Sequence, residues 1–263
     1  MQAPFLDIRK INNFYKKEIT KAFNKVLDSG MFILGDSVLQ FEKDYASFNK
    51  TTYCIGVGNG LDALIISLKS LNIGKGDEII VPANTYIASI LAISQVGAKP
   101  ILVEPNKQTY NIDITKIESA ITSKTKAILA VNLYGQAAEL DKINIICKKN
   151  NLYLIEDNAQ SLGALCKNKL TGSYGIINGT SFYPGKNLGA LGDAGAITTN
   201  NKALYESCLM YRNYGSKVKY VHESLGVNSR LDEIQAAFLS VKLKHITTEI
   251  ENRQAHAQFY LDE

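Results

Sequence analysis

Gly179-Thr180-Ser181-Phe182-Tyr183-Pro184-Gly185-Lys186-Asn187-Leu188-Gly189 is the stretch on which the chain turns. It sets one lysine between Pro-Gly and Asn-Leu-Gly, a loop composition that suits a lysine held in a site. Upstream, Asp157 closes the apolar run Leu152-Tyr153-Leu154-Ile155-Glu156, which reads as a strand. Each residue alone has a plain explanation. A lone lysine is most often solvated, and an aspartate after a strand most often caps a helix or forms a turn.

Taken together, the pair matches what pyridoxal phosphate chemistry requires. A lysine in a tight loop can form a Schiff base with the cofactor aldehyde. A carboxylate at a strand end can keep the pyridine nitrogen protonated, so that the ring acts as an electron sink.

Composition narrows the field. The 263 residues suffice for one large domain or two small ones, and 46% apolar content is ordinary for a globular chain. No run of about 18 apolar residues occurs, so no membrane span is expected. Met1-Gln2-Ala3-Pro4-Phe5-Leu6-Asp7 lacks the basic start and apolar core of a secretory signal. Cys54, Cys147, Cys166 and Cys208 are scattered, as free thiols of a cytoplasmic protein would be. His222, His245 and His256 lie too far apart to suggest a metal site. The net charge of +4 is spread along the chain and no nucleic-acid motif accompanies it, so no nucleic-acid partner is expected.

Strand and helix patterns alternate. Residues 11–28 and 38–48 read as amphipathic helices. Tyr53 to Val57 reads as a strand, followed by Gly58-Asn59-Gly60 and a helix from Leu61 to Leu71. A strand, a glycine turn and a helix start make an anion site from free N–H groups and the helix dipole, or else a simple connection. Further strands are expected at 78–82, 100–104, 125–133, 152–156 and 194–199. Helices are expected at 86–94, 115–121, 140–149 and 203–212, and from about 228 to the last residue. The alternation predicts an α/β fold with a mostly parallel central sheet and helices on both faces. In such sheets ligands bind at the C-terminal strand ends. Gly58-Asn59-Gly60, Asn84-Thr85-Tyr86, Tyr134-Gly135-Gln136 and Asp157-Asn158-Ala159-Gln160 all fall there.

Five blocks carry a specific resemblance: residues 58–64, 81–86, 155–160, 181–189 and 228–237. In order and spacing they resemble the DegT/DnrJ/EryC1/StrS sugar-nucleotide aminotransferases, which are fold-type-I pyridoxal-phosphate enzymes. The blocks around Asn59 and Lys186 look most like those of members that aminate C3 of dTDP-3-keto-6-deoxyhexoses. The resemblance implies that Lys186 carries the cofactor and shuttles the proton, and that Asp157 pairs with the pyridinium. It further implies that Gln160 bonds the ring hydroxyl and Tyr86 stacks on the ring. Gly60, Leu61 and Ser181 would hold the phosphate. Asn228 would reach the cofactor phosphate of a neighbouring subunit in a homodimer with shared active sites; its plain alternative is helix capping. Tyr183 and Asn187 flank the lysine near the place for the sugar. Lysine at position 186, where dehydratases of this fold group carry histidine, favours amino transfer.

The resemblance also implies a nucleotide-sugar substrate, L-glutamate as amino donor, and a product bound for lipopolysaccharide or another surface glycan. The expected division is a cofactor-binding large domain over 1–245 and a connecting helix over 246–263, with the family's small C-terminal domain absent. Two alternatives stay open: a 4-aminotransferase of the perosamine-synthase kind, and a truncated, non-catalytic remnant that binds the cofactor or pairs with an intact subunit.

Overall fold

The computed structural model describes residues 4–262; residues 1–3 and 263, the outer ends of the expected domain ranges, lie outside the described residues. The alternation read from the sequence folds into one seven-stranded sheet. Its strands are β1 (Tyr53–Val57), β2 (Glu78–Pro82), β3 (Lys99–Val103), β4 (Thr125–Val131) and β5 (Tyr153–Asp157). After a two-residue hairpin, β6 (Leu165–Cys166) and β7 (Lys169–Leu170), come β8 (Ile177–Ser181) and β9 (Gly195–Thr199). The order is β1-β9-β8-β5-β4-β2-β3. Every pairing among β8, β5, β4, β2 and β3 is parallel, and β9 runs antiparallel to both β1 and β8. The fold is thus the expected α/β architecture with a mostly parallel sheet.

Both faces of the sheet are covered. Successive side chains of a strand point to opposite faces. Ile79 and Leu129 accordingly pack with Ile66, Leu68 and Ile93 of α4 (Gly60–Ser70) and α5 (Ile87–Gln95). Their neighbours Ile80 and Ile128 pack with Leu140 and Ile143 of α6 (Leu140–Lys149). A further cluster underlies the lysine loop: Phe41 and Tyr45 of α3 (Asp36–Phe48), Phe182, Leu188, and Leu239 of α8 (Glu233–Leu243). The Phe182 ring meets Phe41 and Tyr45 edge-on, with centroids 5.4 and 5.2 Å away. α7 (Lys202–Tyr211) is the helix expected near 203–212, and Ser216–Val218 pairs with Val221–His222 as a surface hairpin.

Four expectations need correction. The helix over 11–28 is two helices, α1 (Ile8–Phe14) and α2 (Lys16–Ser29), joined at Tyr15. Tyr15 is buried, and its hydroxyl bonds Glu249 at 2.6 Å, which holds the joint. Residues 115–121 form two 3₁₀ turns, Ile114–Lys116 and Glu118–Ala120, instead of one continuous helix. The C-terminal helical run is broken at Lys244 and His245 between α8 and α9 (Ile246–Asp262). Finally, 179–181 belong to β8, a central strand that the sequence pattern does not announce. It has no apolar run: Asn178 is buried there, its amide N–H donating to the Thr198 carbonyl at 3.2 Å, while its Oδ1 has no hydrogen-bond partner among the described residues.

Candidate active site

Parallel strands deliver their C-terminal ends to one edge, and the segments that follow them form a cleft of about 540 Å³. Gly60, Leu61, Tyr86, Asp157, Gln160, Ser181 and Lys186 all line it. Of the residues singled out by sequence, Asn228 is not among its lining residues. It is exposed on its own chain, bridged to Asn213, and is no helix cap, since Asp232 precedes α8. Tyr183 lines the cleft, whereas Asn187 lines a smaller recess beside it that opens on Lys186 and Gln160.

Asp157 ends β5 and is 7% exposed. Its Oδ2 accepts from the Ser89 hydroxyl at 2.7 Å, and its Oδ1 from the Ala159 N–H at 3.1 Å. Burial raises its pKa; those two bonds, and the charge of Lys186 across the cleft, oppose the rise. Lys186 sits at mid-loop with its N–H on the Tyr183 carbonyl at 2.8 Å. Among the described residues its ammonium has neither a hydrogen-bond acceptor nor an ion-pair partner. Burial lowers its pKa, offset in part by Asp157. A lysine depressed in this way is closer to the neutral amine that a nucleophile must be.

One end of the cleft is built by backbone. Asn59 caps α4, its side chain accepting from Asp62 N–H at 2.8 Å. Among the described residues, the Gly60 and Leu61 N–H groups bond nothing else in the chain, so they and the helix dipole stay available to an anion. Position 60 must be glycine for room, because a Cβ there would lie 2.6 Å from Ser181 Cβ. Gln160 is oriented as well: its Oε1 accepts from Tyr134 N–H at 2.9 Å, which leaves its NH₂ to donate. Tyr86 is 68% exposed at the start of α5, with its ring free to cover a ligand.

Two supporting residues are not among those singled out from the sequence. Glu156, fully buried, accepts from the N–H groups of Gly172, Tyr174 and Gly175 at 2.7, 2.7 and 2.9 Å, and from the Asn132 amide at 3.0 Å. Burial raises its pKa, and these donors pull it back. It braces β5 directly behind Asp157, and a glutamate inside an apolar run is the signal for it. Lys242 of α8 is buried under the lysine loop, where its ammonium donates to the Gly189 carbonyl at 2.5 Å. Gly189 itself packs so tightly that a Cβ would lie 2.3 Å from the Pro184 carbonyl oxygen. Lys242 thereby fixes the closing end of the loop that carries Lys186.

These features fit pyridoxal phosphate. Among the described residues, an unpaired amine faces a buried carboxylate bonded only to neutral donors. Free N–H groups and a cradle that a Cβ would fill stand at one end, and an amide donor at the side. Among the described residues no helix is long and apolar enough to cross a membrane.

Comparison with known proteins agrees. Residues 13–263 match the DegT/DnrJ/EryC1/StrS aminotransferase family. The chain is 57% identical over 259 residues to the dTDP-3-amino-3,6-dideoxy-alpha-D-galactopyranose transaminase of Aneurinibacillus thermoaerophilus, covering 98% of this chain and 71% of that one. The crystal structure of S. venezuelae DesV in complex with a ketimine intermediate superposes with a TM-score of 0.97 at 44% identity, over 99% of this chain and 70% of that one. The NtdA structure from Bacillus subtilis, with its cofactor PMP bound, superposes with a TM-score of 0.89 at 36% identity, over 94% of this chain and 57% of that one. The chain belongs to the DegT/DnrJ/EryC1/StrS aminotransferase family and is a pyridoxal-phosphate-dependent sugar-nucleotide aminotransferase.

Proposed function

We propose that the chain transfers an amino group from L-glutamate to C3 of a dTDP-3-keto-6-deoxyhexose, giving a dTDP-3-amino-3,6-dideoxyhexose. One observation carries the assignment of roles: Lys186 and Asp157 face the same cleft without pairing with each other. The 57% identity to the 3-amino transaminase supports this choice of substrate. Identity to the GDP-perosamine synthase of Escherichia coli O157:H7 is 38%, which ranks the 4-amino reading below it.

Pyridoxal phosphate, when bound, supplies an electron sink for carbon acids and an acceptor for the amino group. The chain's residues do the rest. Gly60 and Leu61 N–H groups and the Ser181 hydroxyl hold the phosphate. Asp157 keeps a proton on the pyridine nitrogen, Gln160 donates to the ring oxygen, and Tyr86 covers the ring face. Lys186 Nζ holds the cofactor in the resting enzyme. With its amine free, Lys186 would be the group that moves a proton to C3 of the sugar. Its burial lowers its pKa, toward the neutral amine that the step uses.

In this reading the unit over 1–245 is the cofactor domain and α9 leads out of it. The protein works as a homodimer in which Asn228 serves the partner's phosphate site; its exposure and its place outside the cleft of its own chain support that role. The experiment is reduction of the loaded protein with borohydride and peptide mapping, with the label expected on Lys186. Turnover of 3-keto against 4-keto substrates with glutamate then decides the position aminated. A label elsewhere overturns the site, and preference for the 4-keto sugar overturns the substrate.

A further inference from the structure

The Asp157 carboxylate belongs to a hydrogen-bonded relay that starts at the cleft wall. Ser89 lies on the first turn of α5, fully buried. Its hydroxyl is 2.7 Å from Asp157 Oδ2 and 2.8 Å from the Thr85 hydroxyl. An ionised carboxylate can only accept, so the Ser89 proton points to Asp157. Ser89 Oγ then accepts from Thr85, which fixes the direction of both bonds. Thr85 itself lines the cleft next to Tyr86.

Resting on the reading that Asp157 pairs with the pyridinium, we infer that Ser89 is the positioning residue of that pairing, with Thr85 orienting it. Ser89 acts at two levels. It pins one carboxylate oxygen, so the plane of the carboxyl is set before the cofactor arrives. It also donates to the anion in a place where burial works against charge. The other oxygen is held by another neutral donor, the Ala159 N–H. Lys186 is the charged group that faces Asp157 across the cleft, and no ion pair joins them among the described residues. Removal of the Ser89 hydroxyl therefore leaves Asp157 with one donor and a freer carboxyl. A hydrogen bond to a charged group is worth about tenfold or more in an equilibrium, so cofactor affinity should fall by roughly that factor.

The test uses the whole chain as Ser89→Ala, Ser89→Thr, Thr85→Val and Asp157→Asn. Pyridoxal phosphate affinity is measured by equilibrium dialysis on the apoprotein, and the absorbance of the bound cofactor is titrated with pH. Ser89→Ala is expected to weaken binding about tenfold and shift the absorbance titration in the same sense as Asp157→Asn, but less. Ser89→Thr, which keeps the hydroxyl, should restore both, and Thr85→Val should give a smaller loss. Circular dichroism and a urea titration check that each variant folds. If Asp157→Asn alters binding and titration while Ser89→Ala matches the parent protein, the inference fails and the site assignment stands. If Ser89→Ala unfolds, Ser89→Thr and Thr85→Val decide: parental behaviour of Thr85→Val together with failure of Ser89→Thr to bind overturns it. If Asp157→Asn changes neither readout, the site assignment itself is wrong.

Discussion

Gln160 Oε1 accepts the Tyr134 N–H at 2.9 Å, so the amide's donor side is the one presented to the cleft. The Tyr134 backbone is left-handed, φ 58°, an unusual conformation for a residue with a side chain, and it delivers that N–H. A glutamate at position 160 could still accept from Tyr134 but could not donate when ionised. Gln160→Glu should weaken pyridoxal phosphate binding roughly tenfold without loss of fold, as equilibrium dialysis and circular dichroism would show.

Lys186→Ala should abolish the borohydride label and lower transamination by about 10²- to 10⁴-fold or more. The Lys186 side chain makes no hydrogen bond among the described residues, and its burial disfavours the charged form. Unfolding free energy from a urea titration should therefore change little, by less than about 1 kcal/mol. A large loss of stability would mean that the lysine is structural.

Gly60→Ala places a methyl group 2.6 Å from Ser181 Cβ and 3.2 Å from its Oγ. Either α4 or β8 must shift, and both carry groups proposed to hold the phosphate. Overpacking of this kind costs typically about 1–3 kcal/mol. Cofactor affinity should fall together with stability, in contrast to Gln160→Glu, and the same two assays separate the cases.

Glu156→Ala removes the acceptor for three backbone N–H groups and the Asn132 amide in the interior. Each orphaned buried donor costs about 1–3 kcal/mol, so unfolding free energy should drop by several kcal/mol. Chemical denaturation measures it. A loss under about 1 kcal/mol would show that water replaces the carboxylate.

Lys242 gives a pH signature. Burial lowers its pKa from 10.5 to about 8 in the folded chain, with Glu249 opposing. Between about pH 8 and 10.5 the unfolded chain keeps a proton that the folded chain has released, so stability rises with pH across that window. Below about pH 8 both forms are protonated and the burial penalty is present in full. Lys186 acts in the same sense, so the comparison is made against Lys242→Met. Urea midpoints of the parent should gain on those of the variant between about pH 8 and pH 10, and parallel curves would contradict the assignment.

Local pattern and composition by themselves determined the class of fold. The switch between alternating strand and helix periods from Tyr53 to Glu156 is written in neighbouring residues, and so is the edge at which their loops gather. The motif around Lys186 and the Asp157 strand end were legible for the same reason, each being contiguous. Tertiary structure alone decided what depends on residues far apart in the chain. β8 shows no apolar run; it is placed by its ladders to β9 and β5 and by the bond from the Asn178 amide to Thr198. Tyr15 ends a helix through a bond to Glu249, and Lys242 fastens a loop more than fifty positions earlier. Ser89 reaches Asp157 only because the fold brings the first turn of α5 to the C-terminal end of β5. Periodicity records which face of an element is apolar; it holds no record of which polar atom will find a partner once those faces meet.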